Sequence, residues 1–528
     1  MIIPQYIIIK ILKYFINCNF SSNRYIYLFY VNLGLVSKDF YKSLSFIDKV
    51  LIKIVNIKQY HFFIKLPLRS IFNVEIDCLF SELDVDTLDS CVVSLNCHDE
   101  KISLKHAPSL KTLVFGDVMG SSVSTVNNCL LNPVLKDITT LTFNVSTKKE
   151  VSNMSIDFPN LMLLSNQLDT LKIFGNSQFQ LENCAVNLKK FLNLEELEIY
   201  NTHLTHTEFI AIFEQLKVLK KYTYGSYMVR EYNGKKMVPT FSFKLHSETL
   251  VHCLNCASSL EYLEFNKIAN YTTSIVYNGK LINNSNLRDI KFIGCYNEDH
   301  TKQNIYALWS GNSKMQEIKA SDNDADIYHL IQKHPECKKV VYRFYKNMKN
   351  LCILLDLNIP TLKSIEITTL YDDVEFDLSD VIVSLSNNEH ITEITISEAI
   401  ISTETLISLL SLTRIEYLSV YVKTDDYRKI SEALISNHTL RFIKWQSFID
   451  DWPMSDCIKV LNQLINNNHN YSTISFPTPD YELSSEDLEN FRDAVSKNCQ
   501  YLKCISIGVI PQINEILDNY CISSKTSK

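Results

Sequence analysis

The chain has 528 residues, 46% of them hydrophobic and 21% charged, with a formal net charge of −7. That length exceeds what one compact core serves and predicts a modular chain, while no run of about 18 uncharged apolar residues is present to span a membrane as a helix. Fifteen cysteines, odd in number and scattered from Cys18 to Cys521 without framework spacing, predict a reducing compartment, the cytoplasm or the nucleus as well.

The first predicted element is a helix from Pro4, whose missing N–H is not needed in a first turn. It places Ile7, Ile8, Ile11, Leu12 and Phe15 on one apolar stripe. Lys10 and Lys13 interrupt the run and no small-residue cleavage site follows, so it is not read as a secretory signal. After a polar stretch, a second apolar run ends in Leu35-Val36-Ser37-Lys38-Asp39-Phe40. Residues 1–70 hold ten Lys and Arg against Asp39 and Asp48, a formal +8, which leaves −15 for the remainder. This asymmetry predicts different partners for the two parts. Ile3-Pro4, Ile7-Ile8, Ile11-Leu12, Tyr14-Phe15 and the Leu35–Phe40 run resemble the F-box, the helical module that docks on the adaptor of SCF-type cullin–RING ubiquitin ligases. Phe40 stands where the family has Trp, and the spacer between the two motifs is longer than usual. The resemblance implies an adaptor-binding set of Ile3, Pro4, Ile7, Ile8, Ile11, Leu12, Leu35, Val36 and Phe40.

Further along, one phrase recurs: apolar, two polar, apolar, one polar, apolar. It reads at Leu110–Leu113–Phe115, Leu194–Leu197–Ile199, Leu287–Ile290–Phe292, Leu362–Ile365–Ile367 and Leu502–Ile505–Ile507. Chance alone yields about eight copies at this composition, so spacing rather than number carries the argument. From Leu260 the first apolar places fall at 260, 287, 315, 337, 362, 391, 415, 440, 471 and 502. Upstream, the series 71, 88, 110, 138, 168, 194 and 219 is looser, and Ile57–Tyr60–Phe62 matches outside it. Amphipathic helices are predicted between phrases, with Ile458, Leu461 and Ile465 on one face and Leu488, Phe491 and Val495 on another, the latter begun by a Ser484–Asp487 capping pair. Strand, turn, helix, strand is the unit, and each unit buries its apolar face only against a neighbour.

The phrase resembles the leucine-rich repeat in its ribonuclease-inhibitor-like form, which implies an α/β solenoid, here an irregular horseshoe preceded by the small all-α module. The family also places an Asn or Cys eight positions after the first apolar one. That slot holds Asn96, Asn176, Asn323 and Cys295, with Thr202 as a stand-in, but Val118, Tyr227, Lys423 and Pro479 elsewhere. The expected domains are an F-box-like module over 1–50, a connector over 51–70, the array over 71–521 and a polar tail over 522–528. Within the array, alternating runs about Asn233-Gly234 predict an inserted β-hairpin over about 225–250, and 260–521 is the more regular part.

No nucleotide-binding, nucleophile-elbow or zinc-protease motif is present, and the reading is a non-enzyme without cofactor. His203 and His206 beside Glu208 read as a turn with Thr205 or Thr207 capping a helix, and Asp322, Asp324 and Asp326 read as a solvated turn. Cys253–Cys256 is a lone C-x-x-C without a second pair, so no metal set is assigned. The sequons at Asn144, Asn270 and Asn437 are read as accidents of composition. Third and fifth places of each phrase alternate away from the core. Tyr262, Tyr417 and Phe442 are therefore the expected substrate-binding residues on an acidic concave face. The expected partners are a ligase adaptor and an unidentified protein substrate, with no nucleic acid; an interaction scaffold whose N-terminal helices cap the solenoid is the alternative.

Overall fold

The computed structural model describes residues 50–54, 57–64, 72–78, 88, 90–97, 107–118, 137–145, 164–175, 188–202, 204–225, 245–266, 271–272, 280–293, 305–324, 326–344, 347–369, 377–422, 427–447, 454–476, 483–507, 510–520 and 522–524. The chain divides into two units, 1–302 and 303–528.

The first unit runs β1 (Val50–Ile54), α1 (Ile57–Phe63), β2 (Phe72–Cys78), β3 (Val92–Cys97), β4 (Thr112–Val118), β5 (Thr140–Val145), β6 (Thr170–Phe174) and β7 (Glu196–Tyr200). It continues with α2 (His206–Gln215), β8 (Lys221–Gly225), β9 (Leu245–His246), α3 (Ser247–Cys256), β10 (Tyr262–Asn266), β11 (Tyr271–Thr272) and β12 (Asp289–Ile293). Ten of these strands form one sheet in the order β1-β2-β3-β4-β5-β6-β7-β8-β10-β12, and β9 pairs with β11. Neighbouring strands in both are parallel.

The second unit contains a short 3-10 turn (Ile305–Leu308), then β13 (Glu317–Ser321), α4 (Ile327–Gln332), β14 (Lys339–Phe344), α5 (Lys349–Asp356), β15 (Ser364–Thr369), α6 (Ser379–Asn387) and β16 (Glu393–Ile401). There follow α7 (Thr403–Leu410), β17 (Tyr417–Val422), α8 (Tyr427–Ser436), β18 (Phe442–Ser447), α9 (Met454–Asn467), β19 (Thr473–Ser475), α10 (Ser485–Asn498), β20 (Cys504–Ser506) and α11 (Pro511–Asn519). Its eight described strands pair in sequence order and all in parallel. Each unit is an α/β solenoid on the strength of this topology.

The phrase explains the ladder. First, fourth and sixth places are buried in repeat after repeat, as at Leu260, Leu263 and Phe265 or Leu440, Ile443 and Trp445. The second-place amide donates to the second-place carbonyl of the preceding repeat at 2.7–2.9 Å, through Asp169, Glu195, Lys220, Glu261 and Arg288 in one unit and Lys363, Thr392, Glu416, Arg441, Ser472 and Lys503 in the other. Sixth-place rings stack between repeats, Phe115 on Phe143 at 5.5 Å and Phe265 on Phe292 at 5.4 Å. Phe209 and Phe213 of α2 close over Tyr222 and Tyr224, so the helix covers the same face that the phrase buries.

Several boundaries differ from the sequence reading. The stretch taken as a connector contains β1, in register with β2 through Ile52↔Val74 and Ile54↔Ile76, and the out-of-series match Ile57–Tyr60–Phe62 lies in α1. The repeat begun at Leu88 has its register at Val92: Leu95 pairs with Leu113, Cys97 with Phe115, and the Lys111 amide donates to the Val93 carbonyl. Leu88 and Cys91 are buried too, which is why the pattern matched four residues early. Asn96 is therefore a strand residue paired with Val114 rather than a turn residue. The expected tail opens with a buried Ile522, and Ser523 exchanges backbone hydrogen bonds with Lys503 and Ile505 at 3.1 Å. The hairpin about Asn233-Gly234, with Asn176 and Cys295, lies outside the described residues.

The asparagines that knit the repeats sit elsewhere than expected. Asn284, Asn388, Asn437 and Asn468 stand three places before the first apolar residue, at the end of the helix or turn. Asn437 Nδ2 donates to the Leu410 carbonyl of the preceding helix at 2.7 Å, while its Oδ1 accepts from the amides of Thr439 and Leu440 at 3.0 and 2.7 Å. Asn388 repeats this with Leu355, His390 and Ile391, and Asn284 with Leu254, Ala257, Asn286 and Leu287. Asn323, in the slot the family pattern favours, is exposed. Thr202 is buried and donates to the Tyr200 carbonyl at 2.9 Å.

Candidate binding face

The third and fifth places of each phrase point away from the buried first, fourth and sixth, and so line the sheet face opposite the helices. In the first unit this face is a chain of paired charges. Lys172 lies 3.6 Å from Glu196 and 3.2 Å from Glu198. Lys221 meets the same two carboxylates, that of Glu198 at 2.7 Å. Burial by itself would raise the Glu196 carboxyl, but the hydrogen bond from Lys221 and the charge of Lys172 hold it below its ordinary value. Tyr262 is half-buried beside them: the Lys221 ammonium lies 5.8 Å from its ring centroid and that of Lys291 5.3 Å, and its hydroxyl donates to Glu264. Burial and then the Glu264 carboxylate push the Tyr262 hydroxyl up, so it stays neutral. Asn266 donates to Glu264 at 3.0 Å and Lys291 pairs with Asp289 at 3.2 Å.

The second unit differs. Lys339 bridges Glu317 at 3.3 Å and Glu366 at 2.7 Å. Further along, Tyr417 and Phe442 are register partners whose rings stack at 4.1 Å and 10°. Both are half-buried, with exposed Glu393 beside Tyr417 and Thr473 beside Phe442 in the same row. Burial, with the Glu393 charge, holds the Tyr417 hydroxyl above the ordinary tyrosine range. A flat aromatic pair framed by polar residues excludes water from its own faces and offers an edge and a hydroxyl to a partner.

Against the sequence reading, Ile3, Pro4, Ile7, Ile8, Ile11, Leu12, Leu35, Val36 and Phe40 lie outside the described residues. Tyr262 belongs to the first unit, Tyr417 and Phe442 to the second. None of the three rings is in the core, but Tyr262 is already engaged by two lysines 41 and 29 residues away in sequence, which no local pattern announces. Among the described residues, the polar clusters make helix caps, turns and, at Asp322, a bond to the next repeat. Thr205 caps α2 in a reciprocal pair with Glu208, and His206 contacts Thr249 at 2.9 Å. Asp324 accepts from the Ser321 amide at 2.6 Å, Asp322 from the Asn347 amide at 3.1 Å, and Asp326 caps α4. Ser484 caps α10 by accepting from the Asp487 amide at 3.1 Å. Asn437 of the sequon Asn437-His438-Thr439 is buried, its amide nitrogen spent on Leu410. The two cysteines of the C-x-x-C part company, Cys253 fully buried with its thiol pushed up by desolvation and Cys256 half-exposed.

No protein-family model matches the chain, and no curated protein sequence does. Among solved structures, an internalin (inlF) from Listeria monocytogenes is similar at 14% identity over 76% of this chain and 93% of its own, with a TM-score of 0.34. The mouse RP105/MD-1 complex is similar at 12% identity over 90% and 78%, with a TM-score of 0.41. The TLR13–ssRNA13 complex is similar at 8% identity over 87% and 62%, with a TM-score of 0.34. These likenesses are weak, and the solenoid assignment rests on the parallel ladders of the chain itself.

Proposed function

We propose that this chain acts by binding a protein target on the sheet face of its second unit, and that it is the substrate-recognition subunit of an SCF-type cullin–RING ubiquitin ligase. The observation that carries the binding reading is the stacked Tyr417–Phe442 pair, half-buried in a strand row whose neighbour Glu393 is exposed. The ligase reading adds the F-box-like sequence from Ile3-Pro4 to Phe40, whose basic and apolar composition suits an acidic adaptor. Such a subunit needs no catalytic group. Holding a target beside a charged conjugating enzyme raises its effective concentration, and that supplies the rate.

Affinity purification of the full chain from cells with mass spectrometry tests the ligase reading: adaptor and cullin should co-purify. Ile8→Asp with Leu12→Asp should remove them while the circular dichroism spectrum is retained, because burying unpaired carboxylates costs several kcal/mol. Adaptor that never co-purifies, or that persists with the double variant, sinks the ligase reading. A second reading, a scaffold whose N-terminal helices cap the array, draws on β1, which pairs with β2 and is the terminal strand of its sheet among the described residues. On that reading the same double variant loses thermal stability. Tyr417→Ala and Phe442→Ala test the binding reading under either: target capture should fall roughly tenfold or more for a hot-spot pair, with the melting temperature lowered by a few degrees at most.

A further inference from the structure

Outside the binding face, the helix side of the first unit carries a cluster of different chemistry. His252 and Cys256 stand four apart on α3 and so share one helix face, and Glu214 lies in the last turn of the neighbouring α2. His252 Nε2 is 2.9 Å from Glu214 Oε1, and the Cys256 sulfur is 3.7 Å from the same nitrogen. One ligand atom of each lies within 4.8 Å of the other two. We infer that Glu214, His252 and Cys256 form a divalent metal site of zinc type, with water completing the coordination.

The spacing supports this. Bonds of about 2.3 Å to sulfur, 2.05 Å to nitrogen and 2.1 Å to oxygen in a tetrahedron set the sulfur and nitrogen about 3.6 Å apart and the nitrogen and oxygen about 3.4 Å apart. The sulfur–nitrogen distance already has this value. The nitrogen–oxygen pair needs to open by about half an ångström, a rotamer adjustment for two exposed side chains. A thiolate, an imidazole and a carboxylate together suit zinc or cobalt better than magnesium or calcium, which take oxygen. Their summed charge of two negatives offsets a divalent ion, and three protein ligands leave the fourth place to solvent. Without metal, partial burial and the Glu214 charge hold the Cys256 proton on, and Lys217 acts in the opposite sense. A bound cation reverses that balance by taking the proton's place on sulfur, releasing it to solvent. Cys253 is fully buried in the core, so the C-x-x-C spacing is not the ligand set. The sequence signal was His252-x-x-x-Cys256 on a helix, which becomes a site only when α2 supplies Glu214.

An ion here would tie α2 to α3, two successive helices of the array, and stabilise the first unit by mass action. The test uses the full chain, stripped with chelator and titrated with cobalt(II). One cobalt per chain should bind with a thiolate-to-cobalt charge-transfer band. Cys256→Ser should abolish the band, and His252→Ala and Glu214→Gln should each weaken binding roughly tenfold or more, at least what losing an outer-sphere partner costs. Cys499→Ser, at a half-exposed thiol in the other unit, should leave it unchanged. Zinc should displace the cobalt and raise the melting temperature of the wild type but not of Cys256→Ser. The inference is overturned if no thiolate band develops at one equivalent, or if the band survives Cys256→Ser. Glu214 and His252 are exposed and Cys256 half-exposed, so loss of signal through misfolding is checked by circular dichroism and by His252→Gln, which should fold and show the same weakened binding as His252→Ala.

Discussion

A carbonyl at the end of a buried helix needs a donor, and the asparagine three places before the phrase supplies it in several repeats. Asn437→Ala strands the Leu410 carbonyl and the Leu440 amide in the interior and leaves the half-buried Thr439 amide without its acceptor. An unfolding free energy lowered by about 2–3 kcal/mol is expected from urea denaturation. Asn323→Ala, at the exposed slot the family pattern favours, should change it by less than about 0.5 kcal/mol. Equal effects would show that the ladder lies where the family pattern puts it. His334 takes the asparagine's place in one repeat, its Nε2 donating to the Tyr306 carbonyl at 2.8 Å. Burial lowers its pKa from 6.5 to about 4, so the folded protein holds it neutral where the unfolded chain would protonate it. Its stabilising contribution is present above about pH 6.5 and is lost as pH falls towards about 4, by at most about 1.4 kcal/mol per pH unit. His334→Asn keeps the donor and has no proton to gain. The stability gap between about pH 7 and pH 4.5 should then be smaller in the variant than in the wild type.

Elements stack only where backbones come close enough. Gly225 ends β8 against Asn266 at the end of β10, and a Cβ at 225 would overlap the carbonyl oxygen and Cβ of Asn266. Gly225→Ala must push the two strands apart, and a loss of about 1–3 kcal/mol is expected from thermal denaturation. An unchanged midpoint would mean that the ladder yields there at no cost. The same logic explains why the strands were legible and their limits less so. Leu113, Leu141, Leu171 and Leu197 announce strands because a parallel sheet covered on one face needs an apolar residue at each of these places. At Leu88 two overlapping apolar patterns competed, and only pairing with β4 chose Val92.

At the scale of the molecule, each unit is a stack in which a repeat touches its neighbours, and the described repeat strands form a ten-stranded sheet in the first unit and an eight-stranded sheet in the second, with β9 and β11 as a separate pair. Stability is then local to a unit. Hydrogen exchange should show Gly225→Ala speeding amides over Lys221–Asn266 while those over Lys339–Ser447 are little changed, and Asn437→Ala should do the reverse. Uniform acceleration across both units by either variant would indicate a single cooperative fold, against the expectation for repeat stacks.

The sequence by itself determined the class of fold, because an alternation of apolar places at 20–30-residue spacing has few solutions besides stacked parallel strands. It also marked Thr205, Ser484, Asp324 and Asp326 as parts of local caps and turns, since such a side chain bonds within three residues of itself, whereas the bond of Asp322 to the Asn347 amide 25 residues away came from the stacking of repeats. Tertiary structure decided what depends on residues far apart in the chain. It brought Glu214 to His252 and Cys256, set Lys221 and Lys291 against Tyr262, stacked Tyr417 on Phe442, and buried Asn437 under the preceding helix. Each of these pairings spans roughly one repeat, a separation at which composition and periodicity say that two residues are neighbours but not which atoms meet.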